Sequence, residues 1–205
     1  MEDVLDLYAE PHDPKRPWVC FDETSKQLVA ETRTPLPMEP GQPERFDYEY
    51  ERNGTANLFL LCQPLAGWRH VAVTDRRTKH DFAEQMQALV DVHFPDAEKI
   101  RVVLDNLNTH TPAALYEAFP AAEARRIAKK LEFHYTPVHG SWLNMAELEF
   151  SMLARQCLGR RIPDRATLET EVATWQAARN EQRATIRWQF TVEDARSKLH
   201  RLYPS

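Results

Sequence analysis

Short apolar runs separated by turn residues dominate the first half of the chain and predict β-strands. A run over residues 18–22 is followed by one over 27–32, which can pair back on it. Further strands are predicted at 45–50, 55–63 and 69–74. Asn53 and Gly54 lie between the first two of these and are typical of a two-residue hairpin turn. This half of the chain therefore predicts a meander of strands.

Prolines interrupt this pattern in two places. Residues 1–17 contain Pro11, Pro14 and Pro17 and predict a lead-in segment with a short helix at 3–8. Residues 35–43 contain four prolines, which remove the backbone donors that a sheet interior needs. We therefore expect this second stretch to be an exposed loop.

From Thr78 onward the apolar positions follow helical spacing. Thr78 begins a predicted capping box, and Thr111-Pro112 predicts another helix start with the threonine hydroxyl as its cap. Strands are predicted at 100–104 and 132–135, and helices at 121–130, 142–158, 165–180 and from Thr191 onward. A meander followed by alternating strands and helices is typical of an α/β domain, with a mixed sheet flanked by helices on both sides.

The composition is that of one globular domain. The chain has 205 residues, of which 42% are hydrophobic and 28% are charged. Its formal net charge of −5 shows no excess of the basic residues that phosphate binding favours, although metal-binding carboxylates would account for part of the deficit. Three separated cysteines predict reduced core thiols. No apolar run approaches the roughly 18 residues of a membrane span, so we expect a cytoplasmic protein without a membrane partner.

Three carboxylates stand out from this pattern. Asp22 and Asp105 each close an apolar strand, and Glu147 lies on the predicted helix 142–158. Such carboxylates are costly to desolvate without a cation, so together they predict a site for a pair of divalent metal ions. Taken singly the evidence is weaker, because Asp105 with Asn106 can simply turn the chain and acidic strand ends are common. Metal-dependent phosphodiester chemistry is nevertheless the first hypothesis.

Helical geometry supports the choice of Glu147 over its neighbour Glu149. At about 100° per residue, Leu143, Phe150 and Cys157 lie on one apolar stripe that faces the core. Glu147 lies inside this stripe, where an ionised carboxylate needs a partner or a metal. Glu149 lies outside it and is predicted to be a solvated surface residue.

Three segments carry the motifs of a known family in the right order: Cys20-Phe21-Asp22-Glu23, Leu104-Asp105-Asn106-Leu107-Asn108-Thr109-His110 and His139-Gly140-Ser141-Trp142-Leu143-Asn144-Met145-Ala146-Glu147. They closely resemble the catalytic domain of bacterial insertion-sequence transposases related to the mariner group, in the DDE superfamily. The spacing of Asn144 and Glu147 is the most diagnostic feature. The resemblance implies a ribonuclease H-like fold with a mixed five-stranded sheet, and a catalytic domain over residues 18–205.

The chain departs from the mariner pattern in two ways. The 41 residues between Asp105 and Glu147 exceed the usual spacing, and we assign the excess to an inserted helix at 121–130. Family transposases also carry N-terminal helix-turn-helix modules that recognise the ends of the element, and we predict none within these 205 residues. An upstream DNA-recognition module or a partner subunit is therefore expected.

The resemblance also implies a mechanism. Two Mg²⁺ ions, for which Mn²⁺ is expected to substitute, would be bridged by Asp22 and completed on either side by Asp105 and Glu147. Water would attack at the transposon end and free a 3′-hydroxyl, which would then attack target DNA. DNA is thus the expected partner, with a homodimer forming on it, in the nucleoid of a bacterial cell.

Six further residues are candidates for DNA contact: Asn106, His110, His139, Trp142, Asn144 and Arg155. A structural role is an open alternative for most of them, since histidines and asparagines also cap or pack and an aromatic residue at a helix start usually packs. Arg155 belongs to a local basic run, and such runs are often plain solvated faces.

Two other functions remain open at this point. One is a ribonuclease H-like nuclease that cleaves without strand transfer. The other is an inactive remnant that binds DNA or a partner transposase subunit. The intact acidic residues favour an enzyme over the remnant.

Overall fold

A five-stranded mixed sheet forms the centre of the molecule, as predicted. The computed structural model describes residues 1–45 and 47–203. Its strands are β1 (Trp18–Glu31), β2 (Tyr50–Gln63), β3 (Trp68–Thr74), β4 (Ile100–Leu104) and β5 (Leu131–Tyr135). They lie in the order β3-β2-β1-β4-β5. The β1–β2 and β2–β3 pairs are antiparallel, whereas β1–β4 and β4–β5 are parallel.

Helices cover both faces of this sheet. They are α1 (Glu2–Ala9), α2 (Lys79–Ala88), α3 (Pro112–Ala118), α4 (Ala121–Lys130), α5 (Ala146–Leu153), α6 (Arg165–Glu181) and α7 (Val192–Lys198). Short 3₁₀ turns occupy Ser141–Leu143 and His200–Leu202, and π-helical turns occupy Leu89–His93 and Ala154–Leu158. Within the described residues, no helix is long and apolar enough to cross a bilayer.

Alternation along the strands divides the core into two layers, because successive side chains of a strand point to opposite faces. Trp18 and Cys20 of β1 pack with residues of α1, α5 and α6. Val19 and Phe21 pack on the other face, with residues of α2, α3 and α4. The three cysteines are buried and free, as predicted.

The first two strands differ from the prediction. β1 is one continuous strand of 14 residues, not two strands that pair with each other. Asn53-Gly54 forms no hairpin: Gln27 pairs with Thr55 and Val29 with Arg52, so the two residues of the dipeptide lie opposite the single residue Leu28 in a β-bulge. Gly54 has a φ of 88°, the left-handed conformation that favours both bulges and hairpin turns, which explains the error.

The predicted strand at 45–50 is also absent from its described part, because β2 begins only at Tyr50. Its Phe46 lies outside the described residues. The connection between β1 and β2 is instead the proline-rich segment, whose Leu36 and Met38 are exposed as predicted. The sequence pattern favoured two local hairpins, one over residues 18–32 and one over residues 45–63. In the structure β1 pairs with β2 along its length, and neither hairpin forms within the described residues.

Helix boundaries follow the predicted caps with two exceptions. The capping boxes at Thr78 and Thr191 are both formed. Thr111 makes no capping hydrogen bond with its side chain, although Pro112 does begin α3. The predicted helix 142–158 is broken, because the chain leaves helical geometry at Asn144 before α5 begins.

Candidate active site

The register of the parallel strands brings two of the predicted carboxylates together. Cys20 of β1 pairs with Val103 of β4. Asp22 and Asp105 each lie two residues farther along, so both leave the same end of the parallel pair. This is the edge at which α/β sheets place their sites, outside the carboxyl ends of the strands.

The first turn of α5 brings the third carboxylate to the same place. Glu147 lines an open cavity of about 400 Å³ together with Asp22, Asp105 and a fourth acidic residue, Glu23. We call this the acidic cavity. Arg77 and Ser141 also line it.

Glu147 was predicted to lie on the buried face of its helix, but it reaches the acidic cavity from the exposed face. Its side chain is exposed, whereas Glu149 is completely buried, so the prediction of a solvated Glu149 is wrong. The break at Asn144 rotates α5 relative to a continuous helix, and its buried face consists of Ala146, Glu149, Phe150 and Leu153. These positions have the i, i+3, i+4, i+7 spacing of an amphipathic helix.

Two arginines neutralise the buried Glu149. Its carboxylate accepts hydrogen bonds from Arg69 at 3.2 Å and from Arg179 at 2.9 Å. Arg69 is itself 1% exposed, and its guanidinium also donates to the backbone carbonyls of Gly67 and Ala184. We call Arg69, Glu149 and Arg179 the arginine cluster. It attaches α5 to β3 and α6.

Negative charge accumulates in the acidic cavity. Burial raises the pKa of Asp22, a hydrogen bond from the Glu23 amide opposes the shift, and the charges of Glu147, Asp105 and Glu23 add to it, so that the pKa is about 7. That amide lies 2.8 Å from Oδ1 of Asp22. The cavity therefore stabilises a proton or a cation.

His110 lies behind the cavity and bridges two of its acids. Its Nε2 is 2.6 Å from Oε2 of Glu23, and its Nδ1 is 2.6 Å from Oδ1 of Asp105. The contact between His110 and Asp105 is close enough for an ion pair, but its angle is not that of a hydrogen bond. Burial lowers the pKa of His110, but the bonds and charges of Asp105 and Glu23 outweigh it and raise the pKa to about 9.

Two of the predicted DNA contacts are buried, which corrects their assignment. His110 is 0% and Asn144 is 1% exposed. Asn144 donates from Nδ2 to the carbonyl of Phe21 at 2.8 Å, and its Oδ1 accepts from the amide of Ala146. The structural alternative therefore holds for both residues. Asn144 joins the strand that carries Asp22 to the helix that carries Glu147.

Residues 17–169 match the family described as DDE superfamily endonuclease. The chain belongs to this superfamily. No curated protein sequence matches the chain.

The fold of this DDE chain is similar to that of solved Mos1 transposase structures. A Mos1 mariner paired end complex with Mn aligns with a TM-score of 0.56 and 16% identity, over 98% of this chain and 60% of that one. A Mos1 paired-end complex with the left transposon end aligns with a TM-score of 0.53 and 17% identity, over 83% and 52% of the two chains. The DDE chain thus spans between half and two thirds of these proteins, and the predicted ribonuclease H-like fold is confirmed.

Four other predicted DNA contacts are accessible in the DDE chain. Asn106, His139 and Arg155 are exposed, and Arg155 donates to the carbonyl of Ser151 within its own helix. Trp142 is 45% exposed and stacks on Trp188 with ring centroids 6.3 Å apart. The packing alternative for Trp142 is therefore also partly correct.

Six residues that line the acidic cavity were not predicted as site residues: Glu23, Thr24, Arg77, Leu107, Ser141 and Phe150. Glu23 follows Asp22 in the first motif, and Ser141 precedes Trp142 in the third. Arg77 precedes the predicted cap at Thr78, and only this position before a helix start marks it in the sequence.

The donor atoms of the acidic cavity fit a hard divalent cation. Carboxylate oxygens are the ligands that Mg²⁺ and Mn²⁺ prefer, and the charge crowding at Asp22 favours any cation placed there. Among the described residues, no three acidic, histidine or cysteine side chains lie close enough to hold one ion directly. Asp105 is drawn instead toward His110.

Proposed function

We propose that this DDE endonuclease is the catalytic domain of a DNA transposase. It hydrolyses phosphodiester bonds at transposon ends and transfers the resulting 3′-hydroxyl into target DNA. The observation that carries this proposal is the acidic cavity, in which Asp22, Asp105 and Glu147 from three separate elements line one open space. Membership of the superfamily and the likeness to Mos1 support it.

Asp22, Asp105 and Glu147 would hold two Mg²⁺ ions, or Mn²⁺ in their place, which supply charge neutralisation at phosphorus and an activated attacking oxygen. The remaining contributions belong to the chain itself. His110 orients Asp105 through the 2.6 Å contact and is a positioning residue. Asn144 and the arginine cluster fix α5, so that Glu147 faces the strand ends.

The partners of this activity follow from its chemistry. Transposon ends and target DNA are the substrates, and an upstream recognition module or partner subunit selects the ends. A homodimer assembles on the DNA, since two ends must be joined. Such a protein acts in the nucleoid-containing cytoplasm of a bacterial cell.

A nicking assay on supercoiled plasmid tests the cleavage step. With Mn²⁺ or Mg²⁺ the wild-type chain is expected to nick the plasmid, and chelation should abolish the activity. Asp105→Asn and Glu147→Gln should each lower the rate by about 10³-fold or more, because several kcal/mol of charge stabilisation are lost. Glu117→Gln is the matched control, since this exposed glutamate of α3 pairs with Lys79 outside the acidic cavity. Equal rates for wild type and Asp105→Asn would remove the enzymatic claim.

A second assay separates a transposase from a simple nuclease. A DNA duplex with a free 3′-hydroxyl end is incubated with plasmid and metal, and covalent joining of the duplex to the plasmid is measured. Joining that disappears in Glu147→Gln supports strand transfer. Nicking without joining would leave the nuclease alternative in its place.

A further inference from the structure

The acidic cavity contains a single cation among its described lining residues. Asp22, Glu23, Asp105 and Glu147 line it with carboxylates, and Arg77 is the one basic side chain beside them. Arg77 lies in the loop between β3 and α2, directly before the helix cap at Thr78.

Arg77 has no partner within the part of the chain that the structure describes. Its side chain is exposed and makes no ion pair or hydrogen bond, although four carboxylates line the same cavity. Some exposed arginines do pair, such as Arg126 with Asp91 and Glu123 and Arg196 with Glu2, so it is the lining of the acidic cavity that sets Arg77 apart. The guanidinium of Arg77 is therefore available to an external anion at the edge of the acidic cavity.

The backbone beside Arg77 is nevertheless well defined. Thr78 caps α2, accepting from the amide of Asp81, while its own amide donates to the Asp81 carboxylate at 2.7 Å. This reciprocal cap fixes the chain at the residue that follows Arg77. The side chain thus extends into solvent from an anchored position.

We infer that Arg77 binds a phosphate of the DNA strand that enters the acidic cavity. This inference rests on the proposed function. A cavity of four carboxylates repels a phosphodiester, so an additional cation at its edge favours entry of the strand. A guanidinium suits this role because its planar fork donates two parallel hydrogen bonds to phosphate oxygens. Arg77 touches substrate in this arrangement, beside the bond to be cleaved.

The neighbouring arginine provides a matched control. Arg76 has the same charge and lies in the same loop, but it lines a different cavity, together with Asp75, Asp81 and Arg165. A general effect of positive charge in this loop would involve both arginines equally. A phosphate contact in the acidic cavity involves Arg77 alone.

Binding of a fluorescein-labelled DNA duplex, measured by anisotropy without divalent metal over a series of salt concentrations, tests the contact apart from turnover. Arg77→Gln should reduce the slope of log K against log salt by about 0.9, the value for one lost phosphate contact. Arg76→Gln should leave the slope unchanged. Arg77→Lys keeps the positive charge and should therefore have the wild-type slope. Thermal melting of all variants checks that they fold.

Nicking with Mn²⁺ provides the second measurement. Arg77→Gln should lower the rate about 10- to 100-fold, as expected for loss of one charge-assisted hydrogen bond. Arg77→Lys should recover part of the rate, and Arg76→Gln should retain all of it.

Equal slopes and rates for Arg77→Gln and Arg76→Gln, whether both changed or both unchanged, would overturn the inference. The proposed function would survive that result if Asp105→Asn still abolished nicking. Conversely, nicking that ignores Asp105→Asn would overturn the proposed function, while the difference in salt slope between the two arginines would still report the phosphate contact.

Discussion

Helix α5 carries two glutamates, two residues apart, in opposite surroundings. Glu147 faces the open acidic cavity, where carboxylates outnumber cations. Glu149 lies in the arginine cluster, where two guanidinium groups hold one carboxylate out of contact with water. The carboxylate of Glu149 is thus balanced by arginines within the protein, whereas the carboxylates of the acidic cavity are not balanced by the cations beside them.

The two glutamates differ in whether the protein itself supplies the partners of the charge. In the arginine cluster both oxygens of Glu149 are bound, and Arg69 also donates to backbone carbonyls, although its Nε has no partner among the described residues. In the acidic cavity Asp22 has a raised pKa, first because it is largely buried and second because three other carboxylates lie nearby. A buried carboxylate held by opposite charges indicates a structural role, whereas crowded like charges in an open cavity indicate a site for an external cation.

The two groups are also connected mechanically. The arginine cluster holds the buried face of α5, and the first turn of the same helix places Glu147 in the acidic cavity. The same set of contacts therefore explains both the stability of the helix and the position of its exposed glutamate.

The largest effect is expected in the acidic cavity. Asp22→Asn should lower metal-dependent nicking by about 10³-fold or more. It should not lower the free energy of unfolding, because it removes one of several crowded negative charges. Nicking assays and urea denaturation measure the two quantities. Wild-type nicking by this variant would contradict a functional role for the cavity.

The arginine cluster should show the reverse. Glu149→Gln leaves the buried Arg69 and the half-buried Arg179 without an anion and should reduce the free energy of unfolding by about 3–5 kcal/mol. Glu147→Gln is the matched control on the same helix and should change it by about 0.5 kcal/mol or less. Urea denaturation of both variants decides the matter. A similar loss of stability in both would show that the distinction between the two glutamates is wrong.

A smaller effect is expected where the cavity and the core meet. Asn144→Ala leaves the buried carbonyl of Phe21 without its donor and should cost about 1–3 kcal/mol of unfolding free energy. Nicking should also fall, since β1 and α5 lose their direct link. Asn108→Ala, at an exposed asparagine, is the control for both measurements. If the Asn144→Ala protein folds and nicks DNA at the wild-type rate, the contact between β1 and α5 is not needed for catalysis.

The smallest effect compares two identical caps. Thr78→Ala at α2 and Thr191→Ala at α7 each remove a capping box and should each cost about 1 kcal/mol. Only Thr78 adjoins Arg77 and the acidic cavity, so only Thr78→Ala should also slow nicking. Thermal melting and nicking assays on both variants test this, and equal nicking rates would count against it.

Much of this molecule was predictable from local pattern. The capping boxes at Thr78 and Thr191, the buried strand β4 and the three separated carboxylates all follow from residue type and short-range spacing. These features depend on hydrogen bonds and side-chain periodicity within a few residues. The order of strands and helices follows from the same signals, and it indicated the mixed sheet.

Only the tertiary structure decided the features that depend on contacts between distant segments. β1 continues past Asp22 because β2 pairs with it along its length, so Gly54 forms a bulge and not a turn. Glu149 is buried because arginines from β3 and α6 meet it there. Arg77 joins the acidic cavity through the packing of a separate loop. Periodicity shows which residues share a face, but the partners on that face determine whether a charge is buried or free to act.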